Sequence, residues 1–251
     1  HVLIDELRSG EFTRWIDRYR VASFDAEVES DLRAIVEPLI DCGKRVLWVG
    51  SAGLAEIIAQ NAIVGRVRGK PVLLVIASPN DVTIRQLTNF VNTFDSELIK
   101  VDVENLFTNY DNEFKVIRER VARGLMRGVD IVITTSYDKS QISQGAVLAS
   151  RMGLSTSEFG ARLVDMVGRA VSDIVNGIGI ESFAGIFAAG GDIAMALMRN
   201  MGIGALDVVG EIEAGVPLLR YRDTFFVTKA GGFGRDSTII RIVARVRGVG
   251  L

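Results

Sequence analysis

The sequence predicts an α/β fold in three layers, αβα, with a mostly parallel sheet. Short apolar runs rich in β-formers alternate with longer stretches of helical period through most of the chain. Glycine-rich turns follow several of those runs, as strand-to-helix turns of a parallel sheet do. With 251 residues, 48% of them hydrophobic, the chain has apolar material for one large core or two smaller ones.

The expected strands are Val21–Phe24, Arg45–Val49, Val72–Ile76, Leu98–Val101, Ile131–Thr135, Gly185–Ala188, Leu206–Val209 and Phe225–Thr228. Glu27 to Cys42 reads as a crossover helix, with Leu32, Ile35, Val36 and Leu39 on one face and Gly43 as its stop. A helix over Thr83 to Asn92 follows the polar run that begins at Ser78. Asn112 to Arg127 repeats the period with Phe114, Ile117, Val121 and Leu125. Ser155 to Ile174 opens on a Ser155/Glu158 pair with capping-box spacing and carries a core stripe from Phe159 to Ile174.

A polar, glycine-containing link from Asn61 to Pro71 divides the chain. Residues 70–251 read as one unit. Residues 1–62 supply too few elements for an independent domain, and His1-Val2-Leu3-Ile4-Asp5, without Met, reads as the tail of something larger.

Composition removes several function classes. Lys+Arg 29 against Asp+Glu 31 gives a net charge of −2, and no dense basic stretch with interleaved aromatics is present, which argues against nucleic-acid binding. One His, at position 1, and one Cys leave almost nothing for a zinc site or a His-based triad. Cys42 cannot form an internal disulfide and reads as a packing residue, which makes the cytoplasm the default location. No apolar run is long enough to span a membrane.

Four segments could carry chemistry. Gly50-Ser51-Ala52-Gly53 follows an expected strand, and Ser51 is either a ligand hydroxyl or a helix N-cap. In Ser78-Pro79-Asn80-Asp81-Val82-Thr83 four polar residues crowd a helix start, where each can meet a phosphate or cap the helix. Ala189-Gly190-Gly191-Asp192-Ile193 opens a helix whose uncapped N–H groups and dipole suit an oxyanion; Asp192 either holds a magnesium ion or takes a proton, or merely complements the dipole. Lys229-Ala230-Gly231-Gly232-Phe233-Gly234 concentrates three glycines, with Lys229 as a phosphate counter-charge or an exposed lysine. Neither a P-loop nor a Gly-x-Gly-x-x-Gly fingerprint occurs.

Taken in order, these segments resemble the four-carbon acid sugar kinases, the D-threonate, D-erythronate and 3-oxo-tetronate kinases. Phe24-Asp25-Ala26-Glu27 with Asp31-Leu32, Gly50 to Ala55, Ser78 to Thr83 with Arg85-Gln86, Gly190-Gly191-Asp192, Gly210-Glu211 with Gly215-Val216-Pro217, and Lys229 to Gly234 carry the resemblance across residues 20 to 250. It implies a C-terminal nucleotide-binding domain over 70–251, and over 1–62 the C-terminal remnant of a substrate-binding domain. It also implies ATP with Mg2+ as cofactors, a small-molecule sugar acid as substrate, and room for a homo-oligomer. By position, Ser78, Gly190, Gly191, Asp192, Ile193 and Gly231 fall where that family contacts ATP, with Asp192 as the catalytic candidate. The chain departs from the family at Ala189 and Ile193, where threonines are usual. It also has Ile76-Ala77 ahead of Ser78 where the family has Ser-Gly, and Ala230 where it has Ser. Each lost donor is worth about 0.5–1.5 kcal/mol.

The expected activity is therefore ATP-dependent phosphorylation of a terminal hydroxyl of a four-carbon sugar acid. A nucleotide-binding module without catalysis, or an ATP-independent α/β sugar-phosphate enzyme, would use the same glycine turns.

Overall fold

A computed structural model describes residues 1–12, 18–41, 46–64 and 70–248. The chain divides into two compact units, His1–Val67 and Arg68–Leu251. Cys42, Gly43, Arg45 and residues 65–69 of the glycine-containing link lie outside the described residues.

The first unit is helical where it is regular: α1 (Ile4–Arg8), α2 (Glu29–Asp41) and α3 (Ala52–Val64). Its small core joins Val2, Leu7, Phe12 and Ile35, with the rings of Phe12 and Phe24 edge to face at 5.3 Å. The two strands expected here do not form among the described residues. A strand exists only where a neighbour completes its ladder. Val21–Phe24 achieves a single parallel bridge, Val2 to Phe24, and residues 46–49 pair with nothing described. Val21, Leu47 and Val49 are accordingly 85–90% exposed.

The second unit is the three-layer αβα sandwich that the alternating pattern predicts. Its sheet has seven strands: β1 (Val72–Ile76), β2 (Ser96–Lys100), β3 (Asp130–Thr134), β4 (Gly185–Ala189), β5 (Asp207–Glu213), β6 (Val216–Tyr221) and β7 (Thr224–Lys229). They lie in the order β2-β3-β1-β4-β7-β6-β5. The first five in that order are parallel, and β6 and β5 close the sheet as an antiparallel hairpin edge.

The helices are α4 (Asp81–Thr93), α5 (Val103–Thr108), α6 (Tyr110–Arg127), α7 (Lys139–Arg151), α8 (Thr156–Ile178), α9 (Gly191–Asn200) and α10 (Thr238–Val246). Alternation along the strands sorts them into layers. Leu73, Val75, Ile131, Ile133, Ile186, Ala188 and Phe226 face a core built with α5, α6, α8 and α9. Leu74, Ile76, Phe187, Val227 and the equally buried Lys229 point the other way, toward the layer where α4 packs on α10. The Ser155/Glu158 capping box forms as expected and starts α8.

This arrangement positions the site. The helix after β1 and the helix after β4 leave to opposite faces of two adjacent strands, the switch-point arrangement at whose C-terminal ends such sheets bind ligands.

Candidate functional site: glycine turns at the sheet edge

Three turns meet at the C-terminal edge of the sheet. Ile76, Ala189 and Lys229 are in register across β1, β4 and β7, so the segments that follow them begin at one level. Gly190 N–H donates to the Lys229 carbonyl at 2.8 Å, which fastens the second turn to the third.

The turn after β4 is an open helix end. Gly190 is the N-cap of α9 with φ +124°, a conformation that only glycine adopts without strain, and no side chain caps the helix. The N–H groups of Gly191, Asp192 and Ile193 therefore have no partner within the helix, while the dipole places positive potential at the same spot. A Cβ on Gly191 would meet no atom within 4 Å, so the space in front of the turn is open. The Asp192 side chain is exposed in this first helical turn. Such an end can hold an oxyanion.

Ile193 offers only its backbone. Its side chain is buried in the main core with Val75 and Ala188. Ala189 is equally buried, on the opposite face beside Ile76 and Lys229. Of the positions where threonine or serine is usual in the resembling family, Ala230 is exposed.

The turn after β7 crosses the end of β4 and packs on the start of α4. A Cβ on Gly231 would lie 2.7 Å from Ser78 Oγ and 3.1 Å from Asn80 Cβ, so glycine is required there for close approach to the first turn. Ser78 is half-buried at this contact, and its backbone carbonyl accepts from Ser136 Oγ at 2.8 Å. The polar crowd at Ser78 to Thr83 is thus largely structural. Asn80 caps α4 by accepting from Val82 N–H at 2.9 Å, and Thr83 Oγ1 donates to the Gly231 carbonyl at 2.8 Å. Gln86, fully buried, donates from Nε2 to the carbonyls of Phe233 and Arg235.

Lys229 is neither a phosphate counter-charge nor an exposed lysine. It is 1% exposed, and its Nζ donates to Thr83 Oγ1 and to the carbonyls of Ala230, Gly231 and Phe233 at 3.0–3.1 Å. Burial pushes its pKa down to about 8, against a smaller upward pull from Glu213. Period-two alternation from Val227 on a buried strand was the signal in the sequence for this inward lysine. Behind the turn, Thr238 Oγ1 accepts from Arg235 N–H at 2.7 Å and donates to Glu213, and Arg241 lies 3.9 Å from the same carboxylate.

No group of three or more His, Cys, Asp or Glu is placed to hold a metal among the described residues. Asp192 could contribute one carboxylate to a magnesium ion that a phosphate also binds, which is the usual mode for that metal. Ser51 and Gly53 line a cavity of about 360 Å³ in the first unit with Glu27, Glu29, Leu32 and Glu56. No helix among the described residues is long and apolar enough to cross a membrane.

Fold and turns together define a doubly wound αβα domain with an uncapped helix start at the switch point between β1 and β4. The chain belongs to the four-carbon acid sugar kinase family: residues 73–239 match the model of its nucleotide-binding C-terminal domain. The D-threonate kinase of Salmonella typhimurium is 25% identical over 249 residues, covering 95% of this chain and 58% of that protein. The D-erythronate kinase of Heliobacterium modesticaldum is 25% identical over 234 residues, covering 86% and 51%. A Bordetella bronchiseptica protein, crystallised with citrate as a domain-swapped dimer, shares the fold with a TM-score of 0.58 at 23% identity, over 95% of this chain and 55% of that one. The chain thus spans little more than half the length of these relatives.

Proposed function

We propose that this chain is the nucleotide-binding part of an ATP-dependent kinase that phosphorylates a terminal hydroxyl of a four-carbon sugar acid of the threonate, erythronate or 3-oxo-tetronate class. The observation that carries the reading is the uncapped N-terminus of α9, open in front of Gly191 and fastened to the β7 turn through Gly190. The kinase names of the relatives support the reaction class and the type of acceptor.

Bound ATP with Mg2+ would supply the transferable phosphoryl group and neutralise its charge. The N–H groups of Gly191, Asp192 and Ile193 would hold phosphate oxygens without reorganising, because the helix already fixes their direction. A carboxylate beside a phosphate is repelled unless a cation lies between them, so Asp192 would serve by ordering the metal or by accepting the acceptor's hydroxyl proton. Ser78 and Gly231 would form the opposite wall. Residues 1–62 would belong to a substrate-binding domain, and a homo-oligomer would parallel the Bordetella dimer. A cytoplasmic location fits such an enzyme.

Calorimetry with ATP, ADP and Mg2+ tests the binding step. Saturable heat with the magnesium complexes is expected; no heat with either nucleotide up to millimolar concentration would remove the kinase reading. The exposed methyl of Ala230, where the family carries a hydroxyl, favours a second reading in which nucleotide binds without turnover. ADP release over a panel of tetronic acids, measured on the longest natural form of the protein, separates the two.

A further inference from the structure

We propose that the Lys229 ammonium is a tethered monovalent cation. It fills an oxygen cage made by the β7 glycine turn and does the positioning that a bound potassium or ammonium ion would do, so the turn needs no free ion.

The cage consists of the carbonyls of Ala230, Gly231 and Phe233 and the hydroxyl of Thr83, all 3.0–3.1 Å from Nζ. Carbonyl dipoles of one short turn repel one another, and the shared donor at Nζ offsets that repulsion for three of them, while the neutral Gln86 amide also donates to Phe233. Peptide carbonyls that replace the hydration shell of a monovalent cation make the same kind of site. The distances lie well beyond the roughly 2.0–2.6 Å at which magnesium and calcium take oxygen ligands, and they match an ammonium group. Among the described residues no carboxylate bonds to Nζ; Glu213 acts at longer range and is itself engaged by Thr238 and Arg241. The ammonium is therefore used as a charge for the turn rather than as half of an ion pair. Its reach also explains why the turn lies against Ser78 and Asn80, since Thr83 ties the cage to the start of α4.

Lys229 is on this account a positioning residue, and removing its side chain should leave a cage that a free cation can enter. Lys229→Ala and Lys229→Met are compared with the parent in chlorides of sodium, potassium, ammonium and ethylammonium at one ionic strength of about 0.1 M, which equalises screening. In sodium, the alanine variant should lose about 5 °C in Tm, more than the 2–4 °C that about 1 kcal/mol moves a domain of this size. Potassium, ammonium or ethylammonium should restore at least half of that loss. Methionine fills the cage without charge, so its variant should stay unrestored, and the parent should not distinguish the salts. Absence of ion-specific recovery in the alanine variant, including failure to fold in every salt, overturns the proposal. Melting involves no nucleotide, so this outcome is independent of the kinase reading. If the kinase reading also holds, ATP affinity of the alanine variant should fall at least tenfold in sodium and return with the same ions.

Discussion

Lys229 and Thr83 meet inside the protein: Nζ donates to Oγ1 at 3.1 Å, and the same hydroxyl donates to the Gly231 carbonyl at 2.8 Å. One side chain of α4 thereby closes a path from the end of β7 to the β1 turn. Thr83→Val keeps the shape and removes both bonds. A lost bond plus a buried carbonyl left with one partner fewer amounts to about 2 kcal/mol. Urea unfolding should show a lower midpoint at unchanged slope; a midpoint equal to the parent's would mean the hydroxyl contributes nothing.

The depressed pKa of Lys229, about 8 against the usual 10.5, makes stability depend on alkali. Between those values the unfolded chain holds more protons than the folded one, so this group raises stability as pH climbs through the window. Unfolding free energy of the parent minus that of Lys229→Met should therefore increase from pH 8 to 10.5. Parallel curves would refute the assignment.

In the first unit the Arg8 guanidinium bonds both oxygens of Asp31 at 2.9 and 3.0 Å, and the N–H groups of Glu27 and Val28 add to it. Together they hold that carboxyl far below the ordinary range. The slope has the same sign as the lysine's, in acid instead of alkali, but here the fold favours the charged form. The stabilisation is present above the unfolded carboxyl's value near 4 and fades as pH falls below it. Amide protection in α2 should drop in acid in the parent and lose that dependence in Asp31→Asn.

Helices α8 and α9 cross at Gly168, where an added Cβ would lie 2.6 Å from the Cβ of Ala196. Gly168→Val should force the helices apart and cost about 2 kcal/mol, within the range for overpacked cores. Because α9 carries the oxyanion end, nucleotide affinity should fall with it. Unchanged thermal unfolding would show that the crossing can relax.

Much of this was legible in the sequence for a physical reason: strands buried on both faces, such as Val72–Ile76 and Asp130–Thr134, read as continuous apolar runs. Strand β6 was not, because Pro217 argues against a central strand. It is accommodated opposite Glu211 next to a register shift in the β5 ladder. Helices α7 and α10 went unread too, the first for its serines and glycine at Lys139–Arg151, the second for its shortness. At the site, the glycine turns were readable as turns, but their mutual packing was not. Which glycine faces a neighbour, as Gly231 faces Ser78, and which faces open space, as Gly191 does, depends on strand order, and local sequence does not encode that.

The most direct measurement is a calorimetric titration of MgATP into the parent, Gly191→Val and Gly190→Val. Gly191 has ordinary φ and open space ahead, so valine should leave Tm nearly unchanged and abolish binding by filling the cradle. At Gly190, with φ +124°, valine should cost about 1–3 kcal/mol in backbone strain and lose binding through a deformed turn. Normal MgATP binding by a folded Gly191→Val would contradict the placement of the phosphates at α9 and with it the central claim.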